Sequence, residues 1–348
     1  MRGTYTRGED SLQIYWRDNR VTDSITGDRV VAGLGFFDGV HLGHQAILKK
    51  VQAVAAAIHG VPVAVTFDRH PLAVIDPSAA PLLLTSREER RQYMWDYGME
   101  GIAELTFDGR MANLEPEQFA RDILSGQLSV VAVVAGADFT FGYRGRGGVD
   151  LLRQSGAHWG IKLVETIDAV RIGDEKVSST RIRALLQTGS VEDAAQLLGR
   201  PYRLAGPVVE GEGRGRRLGF PTANLAVDAN RLIPIDGVYA VTVRELINDK
   251  PARYTTKQGE SLGVLSISNK PTFAGTDRVV EVHVLDQQES YYGKRLEISF
   301  HSQLRPIRRF ANAKELQEQI AEDIKIARKL TRRDCSGRGE KIYSLRAL

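Results

Sequence analysis

The chain has 348 residues, 42% apolar and 26% charged, with 47 Lys plus Arg against 43 Asp plus Glu and a sequence pI near 9.1. That composition excludes a disordered, collagenous or disulfide-scaffold protein, and a single Cys335 excludes an intramolecular disulfide or a multi-cysteine zinc site. The first twenty residues show no apolar signal core, and the apolar stretch Leu128 to Ala137 is about half a membrane span. A cytoplasmic protein of two domains, without membrane contact, is therefore expected.

In chain order, Val30 to Gly35 is a short apolar run ending in a glycine turn. From His41 to His59, Ile47, Leu48, Val51, Val54, Ala55 and Ile58 recur at helical spacing. Val61 to Phe67 and Val130 to Ala135 are further strand-like runs. Strands separated by helices predict a doubly wound, Rossmann-like α/β domain over residues 1–200, with ligands at the carboxyl ends of its strands. Helices are predicted from Ser179 to Leu186 and from Val191 to Leu198, and Gly199-Arg200-Pro201 marks the expected boundary. Beyond it lie short β-rich runs at Gly237 to Val243, Gly263 to Ser268, Val279 to Leu285 and Leu296 to Phe300. They predict an antiparallel barrel over residues 201–331, with an amphipathic closing helix over 312–330 and a basic tail over 332–348.

The charge is uneven, a formal −3 over residues 1–200 and +7 over 201–348. The basic residues cluster beside a glycine-rich loop, on the closing helix and in the tail. They do not alternate with exposed aromatics, so no nucleic-acid partner is expected.

The sharpest segment is Gly35 to His44, GFFDGVHLGH, at a strand-to-helix turn. A helix N-terminus offers free N–H groups to phosphate, Gly43 permits close approach, and His41 and His44 can donate to phosphate oxygens. Taken alone, an HxxH pair reads first as a helix cap with two partly exposed histidines, and a metal pair lacks a nearby carboxylate–His cluster of standard spacing. VSSTRIR, Val177 to Arg183, offers hydroxyls at Ser179 and Thr180 that can cap a helix, with Arg183 one turn on. In the second half Gly211, Gly213 and Gly215 alternate with Arg214, Arg216 and Arg217, followed by PTAN at Pro221 to Asn224. In VVEVHVLD, Val279 to Asp286, strand alternation puts Glu281 and His283 on one face.

Together these motifs resemble the bifunctional riboflavin kinase/FMN adenylyltransferases, the prokaryotic FAD synthetases. GFFDGVHLGH is similar to their HxGH-type signature, and VTFDRHP, Val65 to Pro71, resembles their TFDPHP, with Arg69 in place of a proline. GADFTFGYRGRGG, Gly136 to Gly148, resembles the loop on the flavin and adenine sides of that site, and VSSTRIR their SSTxxR motif. GRRLGFPTANL, Gly215 to Leu225, resembles the riboflavin kinase signature, supported by YYGKRLEISF and LRPIRRF from Tyr291 and Leu304. SISNKPTF, Ser266 to Phe273, departs from an NxGxxPTF pattern near Ser268 and Asn269, and Ile307 stands where an acidic residue is frequent.

The resemblance implies riboflavin phosphorylation by ATP in the barrel and adenylylation of FMN to FAD, with pyrophosphate release, in the α/β domain. It implies ATP contacts at Gly35, Phe37, Asp38, His41, Gly43, His44, Ser179, Thr180, Arg183, Gly215, Thr222 and Asn224. It further implies flavin contacts at Asp68, His70, Asp138, Phe139 and Phe141, Mg2+ at Thr222 and Asn224, and Glu281 as general base beside the catalytic His41 and His44. A homo-oligomer is compatible with the sequence. The alternative is a nucleotidyltransferase of other specificity whose C-terminal half is a non-catalytic flavin-binding module.

Overall fold

The computed structural model describes residues 12–25, 27–211, 213, 215, 218–250, 253–256, 259–272, 275–287 and 290–335. The expectations for Arg214, Arg216, Arg217 and the tail beyond 335 lie outside the described residues. Two compact units divide at Val177/Ser178.

In the first unit, β1 (Leu12–Trp16), β2 (Val21–Thr22), β3 (Val30–Leu34), β4 (Val61–Phe67), β5 (Gly101–Leu105), β6 (Val130–Gly136) and β7 (Leu163–Ile167) form one sheet. Its order is β2-β1-β5-β4-β3-β6-β7. The five strands β5-β4-β3-β6-β7 are parallel, and β1 joins antiparallel to β5 with Leu12 opposite Leu105. All residues of β3 and β5 are buried. This explains the unbroken apolar runs, because a parallel strand covered on both faces has no solvent side. α1 (Leu42–Ile58) follows β3 and turns Leu42, Ile47, Leu48, Val51, Val54 and Ala55 inward. α2 (Arg87–Asp96) precedes β5 and starts with a complete capping box between Ser86 and Glu89.

The second unit begins with α3 (Ser179–Gln187) and α4 (Val191–Leu198). The sequence boundary near Gly199 falls some twenty residues later than this division. The reason is the apolar face of the two helices. Ile182, Leu186, Val191, Ala194 and Leu198 are buried, Ile235 N–H bonds the Leu186 carbonyl, and α4 packs against strands that follow it.

Those strands are β8 (Tyr202–Val209), β9 (Ala223–Leu225), β10 (Gly237–Lys250), β11 (Arg253–Thr256), β12 (Ser261–Thr272), β13 (Gly275–Val284) and β14 (Arg295–Arg305). The order β10-β12-β13-β9-β8-β14 closes through β14–β10 pairing into a six-stranded antiparallel barrel, and β11 extends β10 at one end. β8 alternates buried and open residues, as a strand with one face in a core must. α5 (Ala313–Cys335) is the closing helix. Ala327 is fully buried against Val238, Ala240 and Val264 on the outer barrel wall. Asp323, also buried, takes Arg305 Nε at 3.0 Å and Nη2 at 2.8 Å.

Candidate functional sites

Each unit gathers one group of the residues singled out above. In the first, β3 has β4 on one side and β6 on the other. The chain therefore runs outward through β4 and β5, then returns across β3 to β6. Crevices at such reversals bind ligands outside the strand carboxyl ends. The loop 35–41 leaves β3 at this point, and Asp138 follows β6.

That loop is strained. Phe37, Gly39 and Val40 have φ of 58°, 80° and 38°. A β-branched residue in that region costs on the order of 1–3 kcal/mol and persists only where its surroundings hold it. Hydrogen bonds with residues outside the loop do so. Thr66 Oγ1 donates to the Phe36 carbonyl at 3.0 Å, Gln45 Nε2 to the Val40 carbonyl at 2.9 Å, and Gly39 N–H to Thr85 Oγ1 at 3.1 Å. Asp38 accepts from Leu84 N–H at 3.0 Å, Thr85 N–H at 3.1 Å and the Thr85 hydroxyl at 3.0 Å.

Phe37 is 0% and Asp38 3% exposed, so their side chains brace the loop, and only their backbone is left for a ligand. Arg90 supports the loop from below. Its Nη2 donates to the Phe67 carbonyl at 2.7 Å, and its guanidinium lies 4.4 Å from the Phe36 ring centroid. Burial pushes this guanidinium below the ordinary arginine value. Arginine starts so high that it stays charged.

His41 is the N-cap of α1, and its Nδ1 accepts from His44 N–H at 3.3 Å. An accepting Nδ1 leaves Nε2–H as the donor of the neutral ring. The two imidazoles stack with centroids 3.7 Å apart, and a Cβ on Gly43 would stand 3.1 Å from the His41 ring. Both histidines thus gather at the start of α1, where helical N–H groups lack internal partners.

His70 lies beside this loop, edge-on to Phe36 at 5.0 Å. Asp68 is occupied: Phe107 N–H binds Oδ1 at 2.9 Å and Arg69 binds Oδ2 at 2.9 Å, so the departure at Arg69 supplies an ion pair. Asp138 is exposed and pairs with Lys176, whose hydrogen bond holds its carboxyl below the usual carboxylate range. Phe141 is buried against Phe119, whereas Phe139 is only partly covered. Ser179, Thr180 and Arg183 stand on α3 of the second unit. The cap of α3 is Ser178, accepting Arg181 N–H at 3.2 Å, rather than Ser179 or Thr180. The serine nearest the strand-like residue Val177 takes the extended N-cap conformation, and the next two enter the helix.

In the second unit the barrel wall aligns the other group. Asn224 of β9 is the direct partner of Glu281 in β13, which in turn faces Ser266 of β12. Flanking Ala223, Val280 and Val282 point into the core, so Asn224, Glu281 and His283 share the outer face. Two glycines let the preceding loop approach them. A Cβ on Gly211 would stand 2.0 Å from Asn224 Nδ2, and one on Gly215 would meet the Phe220 carbonyl at 2.4 Å and Thr222 Oγ1 at 3.1 Å. Next to them is a cavity of about 410 Å³, lined among others by Val209, Gly211, Thr222, Asn224 and Tyr291. No cluster of three His, Cys, Asp or Glu side chains able to hold a metal exists among the described residues.

Sequence reasoning did not find Gln45, Thr66, Thr85, Arg90 or Lys176. They lie 23 to 54 positions from the groups they hold, or on a neighbouring turn, and no local spacing signals them.

Residues 24–181 match the FAD synthetase family and residues 198–331 the riboflavin kinase family. The chain is 36% identical to the bifunctional riboflavin kinase/FMN adenylyltransferase of Listeria monocytogenes over 315 residues, 89% of this chain and 95% of that one. It is 34% identical to the protein of that name from Escherichia coli K12, over 86% and 91% of the two chains. A crystal structure described as a macrolide-efflux protein from Streptococcus pneumoniae superposes with a TM-score of 0.79 at 28% identity, covering 88% of this chain and 96% of that one. No helix among the described residues is long and apolar enough to cross a membrane.

Proposed function

The chain belongs to the family of bifunctional riboflavin kinase/FMN adenylyltransferases, and from that premise we propose how its residues divide the two reactions. It is an enzyme with both activities: it phosphorylates riboflavin to FMN and adenylylates FMN to FAD, with ATP as the co-substrate of each step. The riboflavin kinase match over residues 198–331 favours a catalytic second half over a flavin-binding module.

In the α/β half, an FMN phosphate oxygen attacks the α-phosphorus of ATP and pyrophosphate departs. No covalent enzyme intermediate is needed, so the residues align the reactants and neutralise charge. His41 donates from Nε2–H and His44 from its own ring to the phosphate oxygens on which charge grows. The α1 N-terminus at Gly43 and the backbone of Gly35, Phe37 and Asp38 cradle the same group. His70, Asp138 and Phe139 face the flavin nucleotide, while Asp68 and Phe141 shape that region through their neighbours. Ser179, Thr180 and Arg183 bind ATP in this reading by the resemblance of VSSTRIR to the family's SSTxxR motif.

In the barrel, the terminal hydroxyl of riboflavin attacks the γ-phosphorus of ATP and ADP leaves. Glu281 accepts the hydroxyl proton, and Gly215 belongs to the loop over the phosphates. Thr222 and Asn224 hold the metal–nucleotide. Two neutral oxygen donors without a carboxylate cage fit an ion carried chiefly by the nucleotide's own phosphates, as Mg2+ commonly is. When bound, Mg2+ would withdraw charge from the oxygens of the γ-phosphoryl group under attack and of the departing ADP. Small molecules are the only partners this reading requires.

The observation that carries the barrel assignment is the lateral row Asn224–Glu281, which sets a carboxylate beside the PTAN side chains. Incubating the chain with riboflavin, ATP and Mg2+ and separating products over time tests the whole reading. FMN should rise first and FAD follow with pyrophosphate. Failure to form FMN from riboflavin would refute the kinase half.

A further inference from the structure

His283 has no part in the division of roles above, yet it grips the turn that carries them. Its Nδ1 lies 2.7 Å from the carbonyl oxygen of Pro221, and its ring meets Phe220 edge-on at 87° with centroids 5.7 Å apart. A carbonyl can only accept, so Nδ1 carries the proton in this bond and the tautomer is fixed. The register explains the reach. Ala223 is opposite Val282, which sets position 283 beside position 222 on the face that bears Glu281.

Other supports hold the turn further back. Phe220 N–H bonds the Gly215 carbonyl at 2.8 Å, and Gln317 of α5 donates to the Leu218 carbonyl at 3.2 Å. Among the described contacts, the one from His283 acts on the peptide immediately before Thr222. Rotation of that peptide plane swings the Thr222 hydroxyl, and a misplacement of about 1 Å at a reacting group can cost about 100-fold.

We propose that His283 is a positioning residue of the kinase half: through Nδ1–H it fixes the Pro221–Thr222 peptide, and thereby aims the Thr222 hydroxyl at the metal–nucleotide, without touching substrate. The inference rests on the assignment of Thr222 to the kinase site. It also separates the neighbours on β13: Glu281 handles a proton, and His283 handles geometry.

Three substitutions in the full-length chain divide the possibilities. His283→Asn keeps a donor near the place of Nδ1, His283→Gln moves the amide toward the place of Nε2, and His283→Leu removes both while filling the space. Riboflavin kinase kcat and KM are measured with Mg2+–ATP, alongside FMN adenylylation from supplied FMN and thermal melting by circular dichroism. His283→Leu should lower kinase kcat/KM for Mg2+–ATP about 10–100-fold, the range for groups that orient a ligand-holding residue. The KM for riboflavin and the adenylylation rate should hold. His283→Asn should restore most of the loss and His283→Gln little of it.

Recovery by Gln instead of Asn would overturn the proposal, since Nε2 would then be the working atom. Full activity in His283→Leu, or equal loss in all three variants, would overturn it as well. Thr222→Ala keeps the two levels apart. If it leaves the kinase intact, the site assignment fails and takes the inference with it. If it abolishes the kinase while the His283 series disagrees, only the inference fails.

Discussion

At the scale of single residues, the groups proposed for the two reactions differ in how they are held. His41 and His44 stack on each other at a helix start, so each fixes its neighbour's direction. Glu281 is held by its place in a ladder between Asn224 and Ser266. His44→Ala should therefore reduce FAD formation from FMN by about 100- to 1000-fold, as loss of one preorganised donor does. FMN formation should be spared. Glu281→Ala should do the reverse, with kinase loss of about 100- to 10,000-fold as for a general base. Assaying each variant on riboflavin and on FMN checks both, and equal loss of both activities in either folded variant would contradict the assignment. The grouping of the proposed site residues is legible because each motif is local: HLGH, PTAN and the Glu281–His283 alternation bring their members together by spacing. The latch of Asp38 was not. Its carboxylate finds partners at Leu84 and Thr85, 46 and 47 positions away, and nothing near Asp38 tells a ligand-facing carboxylate from a buried brace.

At the scale of elements, the same rule sorts what periodicity reveals. β3, β4, β6, α1, α3 and α4 were legible because each has one dominant environment, buried on both faces or on one stripe. β1 and β5 escaped notice. Gly101 to Leu105 includes Glu104, which is buried only because Arg87 at 2.7 Å and Arg91 at 3.1 Å on α2 neutralise it. A charged residue in a fully buried strand breaks the apolar pattern unless its partners are known. The closing helix was legible as amphipathic, but its anchor was not. Asp323 is 1% exposed and bound by Arg305 from β14, so Asp323→Ala strands a mostly buried guanidinium. Such a break costs about 3–5 kcal/mol. Kinase activity of that variant should be lost at lower temperature or lower urea than wild type, with adenylylation unaffected. A barrel as resistant as wild type would show that solvent reaches Arg305.

At the scale of the whole molecule, the chain is two compact units whose division, at Val177/Ser178, precedes the composition change near Gly199. Each unit closes its own core, and the groups proposed to carry the two reactions are divided between them, His41 and His44 in one and Glu281 in the other. A mixture of His44→Ala and Glu281→Ala chains should then make FAD from riboflavin, the first supplying FMN and the second adenylylating it. Neither variant alone should do so. Absence of FAD from the mixture, with FMN accumulating, would mean that FMN released into solution is not accepted.

The sequence by itself determined the two fold classes, their order and the motifs shared with the family, because strand and helix periods and short turn signatures are written in neighbouring residues. Tertiary structure alone decided what those motifs rest on: the latch of Asp38 on Thr85, the buried Arg90 beneath Phe36, the grip of His283 on Pro221, and the allegiance of α3 and α4 to the barrel. Each is a contact between segments far apart in the chain, formed where burial leaves a polar group or an apolar face requiring a partner. The requirement is visible locally; which distant residue meets it is set by the fold.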